Sequence, residues 1–186
     1  MIRSMLCVGA LASAVFVSTV PAAHAATVAP EKWAPKVCSA LSGYLDTIDT
    51  GSEALNEATD GATNLKQARA ELVKYYGKLE AAAKKAQKSL ESAGAPSSKN
   101  GEKVATMFVS ALDTSAGIFG KAKTDAAKIS TSSPGAYAKQ GAAVNKSVEK
   151  AGNKLGDSLD KVRTLDADGE LLAAVQSEPA CAALSS

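Results

Sequence analysis

Most active sites are assembled from histidine, cysteine and carboxylate, and this chain is poor in the first two. Its single histidine is His24 and its three cysteines are Cys7, Cys38 and Cys181. His24 falls inside the leader described below, so the processed chain has no imidazole. That excludes Ser-His and Cys-His nucleophile systems and any histidine-based zinc site. Carboxylates remain. Asp46, Asp49, Glu53 and Glu57 recur at steps of three and four, the spacing of a solvated helical stripe rather than of an acid–base pair. The run Asp166-Ala-Asp168-Gly169-Glu170 supplies oxygen donors like a calcium loop, but its glycine comes too early and its twelfth position is Ser177, not glutamate. Acidic capping of a following helix is the expected role. Neither a P-loop nor a GxGxxG fingerprint is present. The expectation is a protein without enzymatic activity, cofactor or metal.

Binding chemistry is better represented. Tyr75 and Tyr76 precede Gly77 inside a long helical pattern, and Phe119 precedes Gly120 in the next one. A mid-helix glycine costs about 1 kcal/mol relative to alanine, so it marks either a close backbone neighbour or room for a ligand. Counting 1.5 Å per residue along alternating helices sets Tyr44 level with Phe108, and Tyr75 and Tyr76 level with Phe119. Tyr75, Tyr76 and Phe119 are therefore the candidate lining of any apolar ligand cavity. Lys146, Lys150, Lys154 and Lys161 share one face of a later helix, opposite Val144, Val148, Leu155 and Leu159. Such a stripe is either a solvated face or a surface that adsorbs to an anionic envelope polymer or membrane. Asn145-Lys-Ser147 matches a glycosylation sequon and reads as a chance match.

The elements that must position these residues follow an export leader. Residues 1–25 have Arg3 as a positive start, an apolar run from Met5 to Val20, and Ala23-His24-Ala25 as a small-x-small cleavage site. The apolar run is too short for a membrane anchor, and Cys7 lacks the small residue before it that lipid attachment needs. Cleavage after Ala25 leaves residues 26–186 as one domain. Losing Arg3 leaves 20 basic groups against 19 acidic, a net of +1. Near-neutral charge and export both disfavour nucleic acid as a partner.

Cys38 and Cys181 remain. In an oxidising compartment an even pair reads as a disulfide, with free thiols or an intermolecular bridge as the alternatives.

No segment alternates as a strand should. Leu65, Ala68, Leu72, Tyr75, Leu79, Ala82, Ala86, Leu90 and Ala93 trace one helical face in Leu65–Gly94. Thr63 or Asn64 is its N-cap, and Gly94 with Pro96 its stop. An earlier helix begins near Ala34 or Pro35 after an extended lead broken by Pro30, and Gly51 kinks or splits it. A third helix runs through Val104, Phe108, Leu112, Ile118 and Phe119 to Ile129. A fourth starts at Ser133-Pro134, and a short fifth spans about Asp168 to Ser177. The fold class is all-α: an up-down-up-down four-helix bundle with a short C-terminal helix, closed by one disulfide. Parity agrees, because four alternating helices return the chain to the end where Cys38 lies. Residues 31–60 carry net −4 and residues 62–93 net +4, so complementary flanks are expected between the first two helices. Glycines inside the helices, among them Gly43, Gly117, Gly120, Gly141, Gly152 and Gly156, are expected to allow close helix approach, with an interhelical groove as the alternative.

The export leader, Trp33 before Cys38, Gly94-Ala95-Pro96 leading to Gly101, and the terminal Pro179-Ala-Cys181 together resemble small secreted helical proteins common in actinobacteria. The resemblance carries no activity and no site residues. The expected function is that of a secreted, non-enzymatic helical bundle that binds a protein or cell-envelope component. The alternative is a carrier of an apolar small molecule or lipid in the bundle core.

Overall fold

The computed structural model describes residues 27–166 and 168–184; the expected leader, residues 1–25, lies outside them. Four long helices alternate in direction: α1 (Pro30–Asp60), α2 (Leu65–Ala93), α3 (Gly101–Ala127) and α4 (Pro134–Leu165). A short α5 (Glu170–Ser177) and a 3-10 turn (Pro179–Leu184) complete the chain. The all-α reading holds. Two short strands, β1 (Thr27–Val28) and β2 (Ala95–Pro96), pair in parallel, Thr27 opposite Ala95 and Val28 opposite Pro96.

Local sequence explains the helix ends. Asn64 caps α2, its Oδ1 accepting from the Gln67 amide at 3.0 Å, while the Gln67 side chain accepts from the Thr63 amide at 3.2 Å. This reciprocal exchange satisfies two amides that the first turn leaves without helical partners. Gly94 ends α2 at φ 77°, a conformation open to glycine. Ser133 caps α4 through its hydroxyl and the Ala136 amide at 3.3 Å.

Helix α1 departs from expectation at two places. It begins at Pro30 rather than at Ala34 or Pro35, and it passes Gly51 without a break. Pro30 takes the first helical position, where a missing N–H costs nothing. The Ala29 carbonyl accepts from Lys32 and Trp33 at 2.9 and 3.0 Å.

Helix α2 lies between α1 and α3, and α3 lies between α2 and α4, while α5 and the 3-10 turn cover α1. The buried core runs through Trp33, Val37, Leu41, Tyr44, Tyr76, Leu79, Leu90, Val104, Leu112 and Phe119. Trp33 meets Phe108 at 6.3 Å between ring centroids, and Tyr44 meets Phe119 at 6.5 Å, so aromatic pairs join α1 to α3. The early start of α1 puts Tyr44 roughly 21 Å along it at 1.5 Å per residue, level with Phe119 rather than Phe108.

Cys38 and Cys181 form the disulfide, with Cα atoms 4.9 Å apart and a sequence separation of 143. The end where it lies also gathers the other special residues. Trp33 Nε1 donates to the Gly94 carbonyl at 3.1 Å, and Asn100 Nδ2 donates to the Leu165 carbonyl at 2.7 Å. A Cβ on Gly101 would lie 1.7 Å from the Pro96 carbonyl oxygen, so only glycine fits there. The Trp-Cys, Gly-Ala-Pro…Gly and Pro-Ala-Cys segments thus assemble one closed end of the bundle.

Two packing expectations are corrected. Among the described residues the ion pairs are Lys74–Glu71, Lys84–Glu80, Lys121–Asp125 and Lys123–Glu80; none joins α1 to α2. The carboxylates of α1 face water, where an ion pair gains too little to fix a side chain. Nor do most of the glycines mark close approach: a Cβ on Gly43, Gly117, Gly141, Gly152 or Gly156 would meet nothing within 4 Å, and only Gly120 of that set has a tight neighbour, the Glu80 side chain at 3.3 Å.

Candidate functional site

Tyr75, Tyr76 and Phe119 all contribute to the core. Tyr76 is 2% exposed, and its hydroxyl donates to Asn145 Oδ1 at 2.8 Å. Burial, with smaller contributions from Tyr75 and Tyr137, pushes the Tyr76 phenol up to about 12. Tyr75 is half-buried beside it, with ring centroids 5.4 Å apart. Its ring lies against Gly51, where an added Cβ would come 3.0 Å from Cε2. Gly51 is therefore the seat of a tyrosine ring rather than a helix break. Burial and then the nearby Asp49 carboxylate raise the Tyr75 phenol. Phe119 packs on Tyr44 instead of on the tyrosine pair. The Tyr44 phenol is raised by burial, which outweighs the lowering effect of the neighbouring Ser115 hydroxyl.

Gly77 and Gly120 have separate explanations. A Cβ at Gly77 would find Lys123 Cδ at 3.5 Å, an ordinary contact; no tight backbone neighbour requires glycine there. Gly120 lies beneath the Glu80 carboxylate, and a Cβ there would come 3.3 Å from Glu80 Cδ. Glu80 accepts from Lys84 at 2.5 Å and from Lys123 at 3.0 Å. Those two hydrogen bonds hold its carboxyl below the usual range, and the one from Lys123 ties α2 to α3.

The open space lies elsewhere. A surface groove of about 400 Å³ runs between α1 and α2. Its walls carry Lys36, Ser39 and Thr47 from α1, and Lys85, Ser89 and Ser92 from α2. Ala40, Gly43, Ala82, Ala86 and the buried Tyr44 form its base. Those small side chains leave the seam unfilled. A neighbouring hollow adds Ala81, Lys84 and Lys88 and shares Lys85, Ser89 and Ser92, so the trough continues across the face of α2. None of its lining residues is acidic. Tyr75, Tyr76 and Phe119 line neither hollow.

The remaining sequence candidates have structural positions of their own. Asp166 accepts from the Leu171 and Leu172 amides at 3.1 and 2.7 Å, which makes it the cap of α5. Asp46, Asp49, Glu53 and Glu57 are exposed on α1, and Lys146, Lys150 and Lys161 on α4; the Lys154 side chain lies outside the described residues. Asn145 of the sequon is engaged by Tyr76. The sequence leaves a groove and a tight contact as alternatives at the α1–α2 seam, because small residues have the same periodicity in either case. Only the separation of the two helices tells one from the other.

No family model matches the chain, and no curated protein or solved structure matches it.

Proposed function

We propose that this is an exported, non-enzymatic binding protein that engages a protein or cell-envelope partner on its surface. The observation that carries the reading is the α1–α2 groove, open to water and bordered by Lys36, Lys85 and three serine hydroxyls. Export is supported by the leader pattern in residues 1–25 and by a disulfide that needs an oxidising compartment. Among the described residues no helix is long and apolar enough to cross a membrane.

The alternative, a carrier with an apolar ligand among Tyr75, Tyr76 and Phe119, has less support. The Tyr76 phenol is already satisfied by Asn145, Tyr75 rests on Gly51, and Phe119 rests on Tyr44. A buried phenol without a partner would have pointed to a ligand or water.

The test is co-sedimentation of the processed protein with washed envelopes of the source organism, for the native chain and for Gly43→Trp. Position 43 is exposed with nothing within 4 Å of a Cβ, so the indole fills the groove without disturbing the core. Adsorption should drop severalfold in the variant while circular dichroism stays the same. Equal adsorption of both proteins, or none by the native protein, rejects the reading.

A further inference from the structure

The chemistry of the groove narrows its occupant. Three of its lysines, Lys36, Lys85 and Lys88, have no ion pair among the described residues, whereas Lys84 is neutralised by Glu80. The two hollows that they border contain no carboxylate and join through Lys85, Ser89 and Ser92. On the rest of α1, the exposed carboxylates Asp46, Asp49, Glu53 and Glu57 lie outside both hollows. The lining of the trough is thus positive, with Lys36, Lys85 and Lys88 and no carboxylate, and the side chains of Ser39, Ser89 and Ser92 line it beside the lysines.

We propose, resting on the surface-binding reading above, that this trough binds a linear polyanion whose phosphate or carboxylate groups are spaced along its chain. The shape selects a polymer. The trough is open to water and continues over two hollows, so it suits an extended chain, and each exposed lysine–anion contact alone contributes little. Several anions on one chain convert the later contacts into intramolecular ones and raise the affinity together. A lipid surface fits less well, because apart from the buried Tyr44 the lining offers no large apolar side chain for insertion, and Leu172, the exposed large hydrophobic among the described residues, is on α5. Bases of a nucleic acid would find no exposed aromatic platform here, since Tyr44 is 3% exposed.

Isothermal titration of the full processed chain at low salt tests this, with polyphosphate and polygalacturonate as probes. Neutral dextran and anionic phosphatidylglycerol vesicles are the controls. Native protein should bind at least one polyanion, and affinity should fall as salt rises. The variant Lys36→Gln/Lys85→Gln/Lys88→Gln should lose at least tenfold. Lys146→Gln/Lys150→Gln/Lys161→Gln, an equal charge change on α4, should stay within about threefold of native. Preference for polyphosphate assigns a phosphate-bearing occupant, and preference for polygalacturonate a carboxylate-bearing one. The proposal is overturned if neither polymer binds, if both variants lose equally, or if only the vesicles bind. Should envelope adsorption remain sensitive to Gly43→Trp while neither polymer binds, the groove keeps its role and the polyanion class alone falls.

Discussion

Tyr76 shows how a side chain that reads in the sequence as a cavity wall can be tied to a distant helix. Its sequence neighbours, Tyr75 and Gly77, make it resemble one wall of a cavity, yet its phenol is buried and donates to Asn145 at 2.8 Å. That bond spans 69 residues of sequence, and no local pattern announces its partner. The same limit applies to Gly51, whose role depends on where the Tyr75 ring comes to rest. By contrast, Asn64, Gly94 and Ser133 are legible, because caps and stops are made by residues adjacent in the chain. The phenol also has a pH consequence. Its value is raised from 10.0 to about 12, so the native state resists ionisation that the unfolded chain accepts. The stabilisation is present below pH 10 and is lost as pH rises from 10 to 12. The unfolding midpoint should therefore fall across that window, and Tyr76→Phe should flatten the fall while lowering stability at pH 7 by about 1 kcal/mol through the lost hydrogen bond. Denaturant melts at pH 7, 10 and 11.5 distinguish this from a phenol that is free to ionise, for which the slope would be unchanged by the substitution.

At the scale of elements, the four long helices are legible from periodicity, and their contacts are not. The start of α1 is hard to place because proline breaks a helix interior and favours a helix start with the same side chain. The β1–β2 pair is invisible because two residues per strand cannot alternate. Glycines are the least legible. Gly77 sits in α2 with an ordinary neighbour at 3.5 Å, whereas Gly101 opens α3 with the Pro96 carbonyl 1.7 Å from the place a Cβ would take. These two positions make opposite predictions for the same substitution. Gly77→Ala should stabilise by roughly 0.5–1 kcal/mol through helix propensity and a less flexible unfolded chain. Gly101→Ala should destabilise by about 1–3 kcal/mol, the range for overpacking, because backbone atoms must shift to admit it. Urea titrations of both variants check the pair; a stable Gly101→Ala would mean that the β2–α3 junction is looser than its geometry.

For the molecule as a whole, the parity of the helices and the cysteine pair carry most of the fold. An even number of long helices returns the chain to the end where it began, and the Cys38–Cys181 disulfide closes there across 143 residues. Closing so long a loop can stabilise by up to ~5 kcal/mol in the chain-entropy picture. The burial pattern decides which parts depend on that closure. Helices α2 and α3 bury long stripes, from Ala68 to Ala93 and from Gly101 to Ala126, against each other. The tail relies on Leu171, Ala174, the disulfide and the Ser42 hydroxyl bonded to the Ala180 carbonyl at 2.9 Å. The groove borders α1 and α2 and shares no lining residue with the tail. Replacing Cys38 and Cys181 together by serine should lower the unfolding midpoint clearly and should speed amide exchange first in α5 and the 3-10 turn, where few buried groups remain to hold the backbone. Amides of α2 and α3 should stay the slowest, and polyanion binding should survive at temperatures where the bundle is folded. Hydrogen-exchange mass spectrometry reads the first response and titration of the same variant the second. Uniform acceleration across all the helices would instead make the bridge a determinant of the whole bundle, and the groove would then lose its binding together with the tail.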